Sequence, residues 1–172
     1  MKIALSFLGG LILLMAVGAS PVFAQQLERG SEGSLGCIGN HRKRLNGTEL
    51  SFTSYTFRNF NQDKTLIIDE ITIYDGLGTP LSTLSAGDII LNNNGPVLGP
   101  NQTTSFTTKQ VFGTSNVQPR PLQVIVDWSS YDGKKALELW GNTARQDERL
   151  DGVDSQEIRA RGNIRCGTLR LK

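Results

Sequence analysis

The sequence predicts an all-β fold, an antiparallel β-sandwich behind an N-terminal signal peptide. Three observations predict it. Several stretches alternate apolar and polar residues with a period of two, as half-buried strands do. Gly, Pro, Asn and Asp punctuate the chain at short intervals. No amphipathic helix longer than about three turns can be drawn, and no repeat of solenoid period is present.

The leader comes first. Lys2 supplies a positive start, and Ile3 to Ala19 is apolar apart from Ser6 and the glycines Gly9, Gly10 and Gly18. Pro21 breaks the run, and Val22 and Ala24 occupy the −3 and −1 positions of a signal peptidase site. Cleavage is expected after Ala24, with residues 1–24 removed. The run is short for a bilayer core of about 30 Å, so no integral membrane segment is expected after cleavage. The expected address is secreted or periplasmic. No cysteine lies near the cut, which argues against a lipid anchor there.

Residues 25–48 read as a polar leader and a basic loop. Gln25 to Gly36 is rich in Gly, Ser and Glu, the composition of a flexible segment. His41-Arg42-Lys43-Arg44 is a compact basic run, too short to suggest a polyanion track.

Residues 49–172 read as a single sandwich domain. Leu50 to Arg58 is dense in Phe, Tyr and Thr, which suit a pleated surface. Leu66 to Tyr74 is a strong strand, with Ile67, Ile71 and Ile73 expected on one face. Thr-rich Gln102 to Gln110 suggests an exposed strand. Leu122 to Ser129 places Leu122, Val124, Val126 and Trp128 on one face. Asp132-Gly133 supplies a tight turn, so a hairpin returning through Lys135 to Gly141 is expected. Trp128 and Trp140 are both expected in the core. At the C-terminus, Ile158 to Cys166 alternates as a strand, and the phase slips at Gly167 as a β-bulge would make it.

The chemistry available is limited. The chain holds one histidine and two cysteines, and its net charge is +2. So small a charge gives no reason to expect nucleic acid as partner. A triad would have to use His41, and no Gly-x-Ser-x-Gly elbow exists. Asp69 and Glu70 point to opposite faces of a strand and cannot share a site. Asp147, Glu148, Asp151, Asp154 and Glu157 form an acidic stretch without EF-hand spacing. No cofactor motif and no metal-ligand spacing appear. In an oxidising compartment Cys37 and Cys166 are expected to pair. The candidate ligand-binding residues are Arg159, Arg161 and Arg165, which alternate along the last segment. They would face either an anionic ligand or cross-strand acids such as Glu138.

The stretch YTFRNFNQDKTLIIDEITIYDGLGTPL, then VLGPNQTTSFTT, then PLQVIVDW, resembles an uncharacterised family of small bacterial exported domains. The resemblance covers roughly residues 50 to 130. It implies an immunoglobulin-like sandwich that binds or signals without catalysis, and it assigns no site residues. The expected function is therefore an exported, non-catalytic binding or interaction module for an unknown protein or anionic ligand. The alternatives are an assembly component pairing through an edge strand, and a small carboxylate-dependent hydrolase.

Overall fold

The computed structural model describes residues 28–44, 47–88, 95–150 and 159–172. Residues 1–24, expected to be a signal peptide, and Asp151, Asp154 and Glu157 lie outside the described residues. Among the described residues, no helix is long and apolar enough to cross a membrane.

The fold is an antiparallel β-sandwich. Its strands are β1 (Arg29–Gly30), β2 (Glu32–Ile38), β3 (His41–Lys43), β4 (Glu49–Arg58), β5 (Leu66–Tyr74), β6 (Pro80–Ser85), β7 (Val97–Leu98) and β8 (Thr103–Thr107). After one short helix, α1 (Thr108–Phe112), come β9 (Gln123–Ser130), β10 (Ala136–Leu137), β11 (Trp140–Arg149), β12 (Arg159–Arg165) and β13 (Gly167–Leu171). The first sheet runs β12-β11-β4, and β3 and β8 share the far edge of β4. The second runs β13-β2-β9-β5, and β6 and β7 share the far edge of β5.

Period-two alternation builds the core between the sheets. Tyr55 and Phe57 of β4 meet Leu35, Val124, Val126, Trp128, Ile71 and Ile73 of the second sheet, all of them buried. β4 also buries its opposite face at Leu50 and Phe52, with α1 packed against the strand and its Lys109 over the Phe52 ring. That double burial is why this strand carries so many aromatics. Asn59 and Asn61 lock the far end. The Asn59 amide donates to the carbonyls of Lys64, Leu98 and Gly99 at 2.7, 3.0 and 3.0 Å, and its oxygen accepts from the Asn61 backbone at 2.9 Å. Asn61 in turn exchanges two hydrogen bonds with the Leu137 backbone.

The structure corrects several expectations. The expected flexible leader is a sheet member from Glu32 on, and β2 lies between β13 and β9. Its glycines answer to packing. A Cβ on Gly33 would lie 2.9 Å from the Trp128 indole and 2.7 Å from the Arg170 carbonyl. The basic run His41–Lys43 is a strand, not a loop. The expected 122–141 hairpin does not form. Past the turn at Gly133 (φ +67°) the chain leaves β9, pairs β10 with β1, and enters the other sheet as β11. β9 pairs instead with β2 and β5. In β5 a register slip between Ile68 and Glu70 shifts burial from Leu66 and Ile68 to Ile71 and Ile73, leaving Ile67 only half-buried. Leu122 is exposed, and Trp140 is half-buried with its ring edge-on to Phe60. The phase slip near Gly167 coincides with a register slip in β13 between Thr168 and Arg170, as a bulge would give, and with a change of sheet. At Cys166 the chain crosses from the first sheet, as β12, to the second, as β13.

Candidate anion-binding groove

The polar end of the sandwich grows out of the inner face of β4. Along that face Phe57 and Tyr55 belong to the core, and Thr53 and Ser51 continue it as polar residues. Register fixes what flanks them. Arg42 of β3 sits opposite Ser51 on one side, and Asp147 of β11 sits opposite it on the other. Arg145 pairs with Thr53, one row nearer the core. A fourth strand position, Arg161 of β12, lies opposite Arg145, and Arg159 lies opposite Asp147.

The segment leading into β9 brings Arg120 over this face. Its guanidinium Nε donates to the Asn40 side-chain oxygen at 2.9 Å, and Nη2 makes a second, shorter bond to the same atom. Asn40 is itself fixed. Its amide donates to Ser51 Oγ at 2.9 Å, and its carbonyl accepts from the Thr53 backbone and from Thr108 Oγ1. The result is an open cavity of about 490 Å³ lined by Asn40, Ser51, Glu49 and four arginines, Arg42, Arg44, Arg120 and Arg145.

Among the described residues the charges in this cavity do not cancel. Arg44 pairs with Glu49 at 2.8 Å, and Arg145 with Asp147 at 3.1 Å. Arg120 is held by a neutral amide, and Arg42 is exposed; neither has a carboxylate partner among the described residues. Burial pushes the Asp147 carboxyl up, but the Ser51 hydroxyl and the charges of Arg145 and Arg44 more than offset it. The net position is below the usual carboxylate range. Asp147 is therefore charged at neutral pH and already committed. An arriving anion meets two guanidiniums with unused donors, and Asn40 holds that of Arg120 in place.

Comparison with protein-family models, with curated proteins and with solved structures finds no match.

The residues singled out from sequence fall in different places. Cys37 and Cys166 form a disulfide, both nearly buried, with Cα atoms 4.5 Å apart. The arginine stripe is broken. Gly162 takes φ +71°, and a register slip between Thr143 and Arg145 places an extra residue in β12. That slip puts Arg165 out of phase with Arg159 and Arg161. Arg165 reaches Glu138, 3.5 Å away, a buried acid that also accepts from Thr168 Oγ1 at 2.6 Å. Glu138 thus ties down both sides of the crossing at Cys166.

Asp69 accepts from Ser129 and Glu70 from Thr72, so the two acids have separate partners. Asp147 and Glu148 likewise part, because Glu148 is buried against Lys109 at 2.6 Å. Among the described residues no group of three His, Cys, Asp or Glu is placed to hold a metal ion.

His41 is fully buried, 5.3 Å from the Phe112 ring, and its Nε2–H donates to the Ser115 carbonyl at 3.1 Å. It has no open face toward a substrate. Burial lowers its pKa, against the Ser115 carbonyl, which favours the charged ring. The unfolded chain binds this proton near pH ~6.5, and the folded chain only at lower pH. Stability is therefore complete above that value and falls as pH drops through the window down to the folded pKa. Denaturant titrations across this range should show the loss, and a His41→Gln variant should show a flatter profile.

The basic run pointed to Arg42, but nothing in the sequence joined it to Arg120 and Arg145. Arg120 stands between two prolines, Pro119 and Pro121. Only the crossing of the chain through Gly39 and Asn40 brings these positions together.

Proposed function

We propose that the protein is an exported, non-catalytic binding module that holds an anionic ligand in the groove between Arg42, Arg120 and Arg145. The observation that carries this is the presence of two guanidiniums, Arg42 and Arg120, without a carboxylate partner among the described residues and around one cavity. Guanidinium forks match carboxylate and phosphate oxygens in shape and charge. The cavity's size suits one or two such groups rather than a nucleic-acid track. Export is supported by the leader pattern of residues 1–24 and by the Cys37–Cys166 disulfide, which oxidising compartments favour. A binding role without catalysis is supported by the enclosure of His41 and the pairing of Glu148 with Lys109.

Calorimetric titration of the purified protein with pyrophosphate at low salt tests the reading. Saturable binding is expected, and Arg42→Ala and Arg120→Ala should each weaken it by roughly 10-fold or more, the scale of a lost charge-assisted hydrogen bond. Arg58→Ala should leave it unchanged, because Arg58 stacks on Phe60 away from the groove. Absence of saturable binding, or equal affinity in all three variants, would overturn the proposal.

A further inference from the structure

The arginine cavity continues into a second hollow of about 250 Å³, and the two share Asn40, Arg120 and Arg145. The walls of this second hollow differ in kind. Ile38, at the end of β2, is 54 % exposed; Leu122, just before β9, is 46 % exposed; Ile164 of β12 is 52 % exposed. Gly39 and Gly162 stand among them and add no side chain.

The three aliphatic residues come from three separate segments, and each is held by the backbone. Gly39 donates to the Leu122 carbonyl at 2.8 Å, and Leu122 donates to the Tyr74 carbonyl at 2.9 Å. Ile164 stands in register opposite Thr143. Scattered exposed aliphatics are ordinary, but three in one hollow make an apolar surface that a ligand can cover. Apolar walls running directly into convergent cationic groups are the pattern of a site for a small amphiphile.

We infer that the groove takes an amphiphilic anion, with a phosphate or carboxylate head at Arg42 and Arg120 and a short alkyl portion along Ile38, Leu122 and Ile164. This rests on the anion-binding reading above and adds the nature of the ligand's other half. Charge sets the orientation. Among the described residues, the head lies at the arginine end, where the net charge is positive, and the tail lies where no charged group other than the shared arginines lines the wall. The occupant is a single soluble molecule rather than a lipid bilayer, because the aliphatic residues line a hollow and do not stand on a flat face.

The probes are octyl phosphate below its micelle concentration, inorganic phosphate as head alone, and octyl glucoside as tail alone. Each methylene buried from water is worth roughly a fourfold change in affinity. Octyl phosphate is therefore expected to bind at least about 10-fold tighter than inorganic phosphate, since the hollow covers only part of the chain. Leu122→Asn should bring the two affinities together while leaving phosphate binding intact, which also reports that the variant is folded. Ile164→Thr, a substitution suited to an exposed strand position, should do the same to a smaller degree.

Equal affinity for octyl phosphate and phosphate in the wild-type protein would overturn this inference and leave the anion-binding reading standing. Failure of both to bind would overturn both. Tight binding of octyl glucoside equal to that of octyl phosphate would also overturn it, as would co-sedimentation with phosphatidylglycerol vesicles without preference for octyl phosphate over phosphate.

Discussion

Replacing Cys37 and Cys166 together by serine is expected to lower stability by roughly 4–5 kcal/mol, the chain-entropy value for a loop of this length. The bridge closes 129 positions of sequence, the span from β2 to the crossing between β12 and β13. Loss of the cross-link frees the unfolded chain far more than the folded one. The folded state is affected as well. Cys166 sits where the chain passes from one sheet to the other, its backbone N–H bonded to the Gly141 carbonyl at 2.9 Å. Both sulfurs lie in the core cluster, so two serine hydroxyls would be buried in their place. Chemical denaturation of the double variant against the wild type measures the loss. A difference under about 1 kcal/mol would mean that the bridge constrains little.

The second large effect is expected at Asn59. This residue has no exposed surface, and its side chain serves five hydrogen bonds with the Lys64, Leu98 and Gly99 carbonyls and with Asn61. Asn59→Ala deletes all of them and leaves those partners without it. A buried polar group left unpaired costs about 1–3 kcal/mol, and several are stranded together, so a loss of roughly 3–5 kcal/mol is expected. Asn59→Asp should also fail to restore stability, since a carboxylate accepts but cannot donate to three carbonyls. Thermal unfolding of both variants measures this, and near-wild-type stability in either would contradict the assigned network.

The strands were legible in the sequence where burial is one-sided. Val124, Val126 and Trp128 alternate without interruption, and all three are buried as expected. Local pattern carries less where chain order and sheet order part company. β2 holds Gly33 and Gly36, which resemble loop residues until Trp128 and Leu169 are seen lying against them. Asp132-Gly133 makes a true turn, but a turn does not say which strand the chain joins next, and here it joins the opposite sheet. The slips at Asp69 and Gly162 reverse alternation part-way along a strand, which separates Ile67 from the core and Arg165 from its expected neighbours.

The site was less legible than the fold. Arg42 belongs to a basic run that can be seen, and Arg159 and Arg161 hold register positions beside the groove strand β11. Arg120 and Arg145 carry no local signal, because the property that matters is their convergence on Asn40 and Ser51. That convergence depends on β3 and β11 flanking β4 from opposite sides.

The central claim, that the cavity around Asn40 is where the anion sits, is tested most directly by a nitrogen-15 NMR titration with pyrophosphate that follows arginine Nε–Hε and asparagine side-chain signals. Saturable shifts confined to Arg42, Arg120, Arg145 and Asn40, with Arg58 unmoved, are the expected result. Shifts centred on Arg165 and Arg170, or spread over the surface without saturation, would contradict it.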